Sequence, residues 1–233
     1  MGFEFEPIGT IHTPYPEKFS VPRQPGLVNA DRSRILLTGK CNREEIVRGI
    51  EGFSHLWLLW VFDQALREDW KPTVRPPRLG GNLKLGVFAT RSPFRPNPIG
   101  LSVVMLRGVG QQDGAWFMDV SGVDIVNGSP ILDIKPYLPY SDSIDHARAA
   151  YAEQAPATIP VQLSDAAKAT VNANRTRYPE LEPLLVQVLA QQSQPAYHRD
   201  QERLYGTLLL NFNVLWRLAN DICRVEVIET LKT

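Results

Sequence analysis

This sequence of 233 residues has few of the features that mark secreted and metal-binding proteins. Its two cysteines, Cys41 and Cys223, lie far apart and form no CxxC pair. That spacing suggests neither a disulfide framework nor a zinc site. The four histidines are not spaced for metal binding either. We therefore expect no metal, and a reducing compartment.

Long apolar runs and an excess of one charge are also missing. The longest apolar run, LWLLWVF at 56–62, is far shorter than the roughly 20 residues of a membrane helix. The first residues, MGFEFEP, are acidic where a signal peptide is basic. We therefore expect a cytoplasmic protein and no membrane partner. The formal net charge is zero, so any surface for a polyanion has to be local.

The first 140 residues contain short strand-like segments separated by turn residues rich in Gly, Asn and Asp. The segments are FEFEPIGTI (3–11), RILL (34–37), HLWLLWVFD (55–63), KLGVFAT (84–90), IGLSVVML (99–106), AWFMDVSGVDIV (115–126) and PILDIKPYL (130–138). The third segment is apolar at successive positions, which predicts a strand buried on both faces. Many strands at this spacing are typical of a closed or nearly closed barrel. A short helix is predicted at 42–48, with Asn42 as its N-cap.

The pattern changes near residue 140. Ser164 is a good N-cap for a helix over 164–178, and Pro179 is well placed to begin a second helix. Residues 205–229 show a strand pattern on both sides of an Asn-Asp turn. We therefore predict a mainly β chain. Its β-barrel domain spans 1–155, and a small α+β domain follows at 156–233.

The stretch ATRSPFRPNPIGLS at 89–102 combines three prolines with two arginines. Each proline fixes its own φ and pushes the preceding residue out of the α region, so the segment is stiff and extended. Arg91 and Arg95 are then held on a preordered backbone, and a guanidinium suits a carboxylate or a phosphate. A rigid surface turn with solvated arginines is the alternative interpretation.

Cations are concentrated around this stretch. Residues 67–95 contain seven Lys or Arg and two Asp or Glu, with Trp70 and several prolines among them. Such a surface suits a polyanion, and a solvated basic face is the alternative. In DIKPYLPY (133–140), Asp133 and Lys135 are two apart, so they share one face of a strand. That pair is either a structural ion pair or an acid/base pair beside a substrate.

Five ordered motifs resemble the TsaA-like (TrmO) family over nearly the whole chain. They are PRQPGLV, GFSHLWLLWVF, RPPRLGGN, ATRSPFRPNPIGLS and DIKPYLPY. The resemblance implies a β-barrel tRNA methyltransferase that uses S-adenosylmethionine and works as a homodimer with a small C-terminal domain. It implies methylation of N6 of threonylcarbamoyladenosine next to the anticodon. A noncatalytic RNA- or nucleotide-binding barrel is the alternative function. A hydrolase using Asp133 and Lys135 lacks a nucleophile or metal set.

The resemblance also assigns site residues. The implied cofactor contacts are Gln24, Pro25, Gly26, Asp63, Gln64, Arg91, Leu101, Ser121, Gly122, Val123 and Asp124. Removal of the N6 proton calls for a base, for which Asp133 is our candidate, with Lys135 or Tyr137 orienting the substrate carbonyl. The expected RNA-binding residues are Arg75, Arg78 and Arg95. Trp57 and Trp60 are expected in the core.

Overall fold

The computed structural model describes residues 2–67, 69–79, 81–191 and 203–231. Within these ranges the strands are β1 (Gly9–His12), β2 (Ser33–Leu37), β3 (His55–Val61), β4 (Thr73–Val74), β5 (Leu85–Gly86), β6 (Ile99–Gln112), β7 (Ala115–Ser121), β8 (Pro130–Pro136), β9 (Val161–Leu163), β10 (Tyr205–Leu209), β11 (Phe212–Ala219) and β12 (Ile222–Thr230). The α-helices are α1 (Glu44–Val47), α2 (Pro139–Asp142), α3 (Asp165–Asn174) and α4 (Leu181–Ala190). The mainly β class predicted from the sequence is confirmed.

Six of the strands pair into a closed barrel in the order β1-β2-β7-β6-β3-β8. Each neighbouring pair is antiparallel, and β8 returns to β1 through the partners Gly9↔Ile131 and Thr10↔Pro130. Closure leaves no unpaired edge in the ring. The strands β4 and β5 form a separate two-stranded ribbon.

Strand β3 alternates between the two faces of the barrel wall. Leu56, Leu58 and Trp60 are buried, whereas Trp57 and Leu59 between them are only partly buried. The prediction that this segment is buried on both faces was therefore too strong. Its partly exposed outer face contributes to the site described below.

Two predicted strands are shorter in the structure. The segment 3–11 becomes a strand only at Gly9, and Phe3 before it is 84% exposed. Alternation alone does not make a strand when no neighbour supplies hydrogen bonds. The segment 84–90 contributes only Leu85–Gly86, after which Val87–Ala89 form a 3-10 turn.

The predicted helix at 42–48 shrinks to α1, and its cap is not Asn42. The Asn42 side chain instead donates to the carbonyl of Gly114 (2.9 Å) and accepts from the N–H of Trp116 (2.8 Å). It therefore joins this segment to the hairpin between β6 and β7. That hairpin turns at Asp113 and Gly114, both with positive φ.

The C-terminal part is a four-stranded sheet with two helices. Its strand order is β10-β11-β12-β9, and β9, which the sequence did not predict, runs parallel to β12. Asn220 and Asp221 form the predicted turn, both in the left-handed region. Ser164 caps α3 as predicted, accepting from the N–H of Ala167 at 3.1 Å.

The barrel and the C-terminal part pack against each other. A single buried apolar cluster includes Ile11 and Met118 of the barrel together with Leu185 and Phe212. A polar contact reinforces this packing, because the Gln187 side-chain oxygen of α4 accepts from the N–H of Asn29 at 2.7 Å. In the part of the chain that the structure describes, no helix has the length and apolar character to cross a membrane.

Candidate functional site

A cleft of about 1030 Å³ opens where the end of β3 and the start of β6 meet two loops, 18–24 and 88–97. The C-terminal part contributes Val188 and Gln191 to its wall. The aromatic lining residues are Phe19, Trp57, Trp60, Phe62, Phe88 and Phe94. The charged lining residues are Lys18, Arg23, Arg91, Arg95 and Asp124. An apolar cleft with a few convergent charges is the usual form of a small-molecule site.

The proline-rich stretch at 89–102, called the proline-stiffened segment from here on, forms one wall of this cleft. The carbonyl of Pro98 accepts from the N–H of Phe62 at 2.9 Å, which fastens the segment to the end of β3. From this wall the Arg91 guanidinium donates to the Gln24 side-chain oxygen at 2.5 Å. Two predicted cofactor residues from distant parts of the sequence therefore meet at the cleft.

Gly100 allows Trp60 to form the floor of the cleft. The two residues are partners across β3 and β6, and the indole lies directly over Gly100. A Cβ at position 100 would lie 2.5 Å from the indole nitrogen, which is closer than packing permits. In this position the indole N–H donates to the Ser102 hydroxyl at 3.0 Å.

The Ser102 hydroxyl in turn donates to the Asp124 carboxylate at 2.5 Å. Burial raises the pKa of Asp124 to about 6, although the hydrogen bond from Ser102 and the charge of Arg91 favour the ionised form. Asp124 is therefore an anion at neutral pH. It places a negative charge on the wall of a cleft that is also lined by aromatic rings.

A buried carboxylate, Asp31, fixes one of the predicted cofactor segments, and a backbone hydrogen bond joins that segment to a second one. It accepts from the N–H of Gly122 at 2.6 Å and from the Ser33 hydroxyl at 2.9 Å. Gly122, at φ 80°, also accepts the N–H of Gly26 at 2.9 Å. Burial raises the pKa of Asp31. Segments 24–26 and 121–124 therefore run next to each other beside the cleft.

The predicted cofactor residues differ in how they approach this cleft. Gln24, Arg91, Leu101 and Asp124 line it, and Leu101 is 55% exposed. Ser121 and Val123 are fully buried, and the Ser121 hydroxyl accepts from Arg107 at 2.7 Å. Pro25, Gly26, Asp63, Gln64, Ser121, Gly122 and Val123 are not among the lining residues. The Gln64 carbonyl does accept from Lys18, which lines the cleft, at 2.6 Å.

The predicted catalytic residues lie on the outer face of the barrel next to the cleft wall. Asp133 pairs in register with Leu59, and Lys135 with Trp57. The Lys135 ammonium lies 2.8 Å from the Asp133 carboxylate, so the two form an ion pair. The Tyr137 ring lies 6.0 Å from the Trp57 ring, centroid to centroid. None of the three predicted residues is among the cleft-lining residues, whereas Trp57 is.

The three predicted RNA-binding arginines are not gathered in one place. Arg95 lines the cleft, and its guanidinium donates to the Thr90 carbonyl at 3.4 Å. Arg75 and Arg78 are exposed, and Arg78 donates to the carbonyl of Gln154. Arg67 from the same basic segment stacks on Phe94, with its guanidinium carbon 4.1 Å from the ring centroid.

Sequence reasoning missed the two residues that connect to Asp124, and it placed Trp57, which is partly buried and lines the cleft, in the core. Trp60 is buried, as expected of a core residue, yet it lines the cleft and its N–H holds Ser102. Ser102 is 1% exposed. The signal for it was a lone hydroxyl in the apolar run IGLSVVML, because a buried hydroxyl needs a hydrogen-bond partner.

Models of a known family match both parts of the chain. The model of the tRNA-methyltransferase O (TrmO) N-terminal domain matches residues 10–143, and that of the TrmO C-terminal domain matches residues 156–231. The chain belongs to the TrmO family. The resemblance seen in the five sequence motifs is thereby confirmed.

Relatives of this TrmO-family chain match it over most of their length. A protein of Escherichia coli K12 named tRNA (adenine(37)-N6)-methyltransferase is 47% identical over 97% of this chain and 98% of its own. One of the same name from Eikenella corrodens is 38% identical over 76% of this chain and 97% of its own. The crystal structure of TrmO from Pseudomonas aeruginosa superposes with a TM-score of 0.83 at 36% identity, covering 98% and 99% of the two chains.

Proposed function

We propose that this protein methylates N6 of the adenosine next to the anticodon of tRNA, using S-adenosylmethionine. It is a tRNA (adenine-N6)-methyltransferase of the TrmO family. We infer further that the adenosine carries the threonylcarbamoyl group. The observation that carries the proposal is the cleft, which gathers Gln24, Arg91, Leu101 and Asp124 from four separate segments.

The residues of the cleft fit S-adenosylmethionine. The ligand carries a carboxylate, two positive groups and an adenine ring. Arg91 offers a guanidinium to the carboxylate, and Asp124 offers a negative charge to a cation. The rings of Phe62 and Phe94 provide apolar faces for adenine. Within the described residues, no cluster of His, Cys, Asp and Glu suited to a metal is found.

S-adenosylmethionine supplies a methyl group bonded to a positively charged sulfur. The chain has to position the substrate nitrogen, which is a poor nucleophile because its carbonyl substituent delocalises the lone pair. It also has to take the N6 proton, and we propose Asp133 as that base. Lys135 or Tyr137 would then orient the substrate carbonyl or stabilise charge on it. What supports this is their position on the face that continues from Trp57.

Replacing Asp133→Asn tests the base directly. We expect turnover to fall by about 100-fold or more, since general bases contribute at least that much, while cofactor affinity is unchanged. Asp119→Asn is the matched control, because Asp119 is also a partly exposed barrel carboxylate in an ion pair, with Arg34 at 2.6 Å. Near-normal turnover of the Asp133 variant would remove Asp133 from the mechanism.

We propose that the tRNA crosses the basic surface around the proline-stiffened wall. Arg95 lies at the cleft, where a flipped nucleotide has to enter, and Arg75 and Arg78 are exposed on the same stretch of chain. Guanidinium groups bind phosphates in one or two hydrogen bonds. The cleft and this surface together would then hold the anticodon loop.

The remaining proposals concern the whole protein. We propose a β-barrel methyltransferase domain at 1–155, an α+β domain at 156–233, a homodimer and a cytoplasmic location. Support for the two parts is the separate sheet of each. Sedimentation analysis tests the dimer, since a mass equal to one chain would contradict it.

The activity is tested with radiolabelled S-adenosylmethionine and total tRNA from two strains, one with and one without the threonylcarbamoyl modification. We expect label in the tRNA of the first strain alone. Label in both tRNAs would keep the methyltransferase and correct its substrate. Cofactor binding without transfer to either tRNA would instead favour a noncatalytic binding barrel.

A further inference from the structure

We propose that Asp124 is the group that meets the sulfonium charge of S-adenosylmethionine, and that Ser102 and Trp60 are positioning residues that hold its carboxylate. This inference rests on the proposed function, because it takes the cleft to be the cofactor site. It assigns a role to a hydrogen-bond network that runs from the buried Trp60 on β3 through the buried Ser102 to the partly buried Asp124 after β7. The two positioning residues act through Asp124.

The direction of each hydrogen bond in this network is fixed by chemistry. An indole nitrogen only donates, so the Ser102 hydroxyl accepts from Trp60 at 3.0 Å. The single Ser102 proton is then free to point at Asp124, 2.5 Å away. The Asp124 oxygen that receives it has to be an acceptor. The two hydrogen bonds therefore favour the ionised form of Asp124 and fix the orientation of its carboxylate toward the cleft.

The backbone of β6 is adapted to this arrangement. Position 100 carries no side chain, which lets the indole of Trp60 cover the strand and reach Ser102 two residues further along the same face. The Trp60 ring also contacts Phe62, with centroids 4.2 Å apart. The Trp60 and Phe62 rings therefore line the same cleft as the Asp124 carboxylate, and Ser102 connects Trp60 to it.

A cleft that contains aromatic rings and one carboxylate suits a sulfonium better than an ammonium. An ammonium has three N–H donors and needs several acceptors, whereas a sulfonium has none and is surrounded by carbon. A cation with carbon substituents is attracted to aromatic faces and to a nearby negative charge. The product, S-adenosylhomocysteine, has a neutral sulfur. Asp124 therefore favours binding of the methyl donor over retention of the spent product.

Three other titratable groups act on Asp124 or its neighbours. Arg91 lies close enough for its charge to stabilise the carboxylate. Tyr15 is fully buried, and the nearby charges of Asp124 and Asp31 add to the rise in its pKa caused by burial, so it stays neutral. Asp31 is engaged by Gly122 and Ser33. Because burial raises the pKa of Asp31 as well, the pH dependence that belongs to Asp124 is the part that Asp124→Asn removes.

The test is calorimetric binding of S-adenosylmethionine and S-adenosylhomocysteine, without turnover. For Asp124→Asn we expect a loss of about tenfold or more in affinity for S-adenosylmethionine, and a much smaller loss for S-adenosylhomocysteine. The ratio of the two affinities should therefore fall. Ser102→Ala should shift the same ratio in the same direction by less. Binding of S-adenosylhomocysteine to each variant shows that its cleft is folded. Asp119→Asn should leave the ratio unchanged, because the Asp119 carboxylate pairs with Arg34 and does not line the cleft.

The pH dependence gives a second readout. The Asp124 pKa of about 6 means that the carboxylate is charged above that pH and neutral below it. In the unchanged protein the preference for the sulfonium ligand should therefore shrink as the pH falls from about 7 to about 5, where the carboxylate takes up a proton. In Asp124→Asn the preference should be flat over that range.

Two results would overturn this inference. Equal losses of both ligands in Asp124→Asn would place the carboxylate at a group that both ligands share, such as the ammonium. A preference unaffected by both the substitution and pH would remove Asp124 from ligand recognition. Neither result touches the proposed function, which fails separately if the unchanged protein binds neither ligand or methylates no tRNA.

Discussion

Among single residues, Gly100 controls the shape of the cleft floor. In Gly100→Ala the new Cβ would lie 2.5 Å from the indole nitrogen of Trp60 and 2.6 Å from its Cζ2, so the ring has to move. We expect the free energy of unfolding in urea to fall by about 1–3 kcal/mol, as for other overpacked sites. Cofactor affinity should fall too, because Ser102 loses its donor.

Gly108→Ala is the control for this substitution. Gly108 lies on the same strand, and a Cβ there meets nothing within 4 Å. Its effect on unfolding and on binding should be small. If the two alanine variants lose equal stability, the cause is the loss of glycine from the strand and not the contact with Trp60.

Arg91 and Arg95 are expected to bind different partners. Arg91→Ala should weaken S-adenosylmethionine binding in calorimetry, because Arg91 is the guanidinium hydrogen-bonded to Gln24 in the cleft. Arg95→Ala should mainly weaken tRNA binding and make its salt dependence shallower by about one unit of slope, since one phosphate contact is lost. If both variants bind the cofactor normally, this division is wrong.

At the scale of elements, the N-terminus of α3 offers a test of local sequence signals. The Ser164 hydroxyl accepts from the N–H of Ala167 at 3.1 Å and donates to the carbonyl of Glu226 at 2.6 Å. Ser164→Ala loses both bonds and should lower the free energy of unfolding by about 1–2 kcal/mol. Ser143→Ala, at an exposed position, is the control and should have almost no effect.

Secondary-structure elements could be predicted from the sequence where local chemistry and tertiary contacts favour the same conformation. Ser164 and the Asn220-Asp221 turn were predicted because a cap and a tight turn depend on neighbouring residues. Asn42 was assigned to the wrong role because its partners, Gly114 and Trp116, lie more than 70 positions along the chain. The same limit applies to segment 3–7, which alternates but forms no strand; backbone pairing with β8 begins at Ile8.

The candidate site likewise has one part that the sequence predicts and another part that it does not. The proline-stiffened wall and its arginines are visible as a motif, and the family resemblance supplied Gln24 and Asp124. The pairing of Ser102 with Asp124 was not predictable, because 22 positions separate them and β6 and β7 together bring them into contact. A lone hydroxyl in an apolar strand indicates that a partner exists but does not name it.

At the scale of the whole molecule, the C-terminal part holds one of the proposed cofactor segments in place. The side-chain oxygen of Gln187, on α4, accepts from the N–H groups of Asn29 (2.7 Å) and Ala30 (3.0 Å). Nearby, Arg32 forms an ion pair with Glu180 at 2.6 Å. These contacts anchor the stretch that follows Gln24–Gly26, and so link α4 to the cleft.

Gln187→Ala should therefore act on binding as well as on stability. It leaves two N–H groups without their acceptor, and we expect about 1–3 kcal/mol lower stability. S-adenosylmethionine affinity measured by calorimetry should fall as well, because segment 24–26 is less well held. Gln162→Ala, at an exposed position of β9, is the control. An unchanged affinity in Gln187→Ala would show that the C-terminal part supports folding alone.

The central claim is that the cleft between the proline-stiffened wall and Asp124 binds the methyl donor. A crystal structure of the protein with S-adenosylmethionine tests it most directly. The account predicts the ligand in this cleft, with its carboxylate at Arg91 and its sulfur facing Asp124. A ligand bound elsewhere on the barrel, with the cleft unchanged, would contradict it.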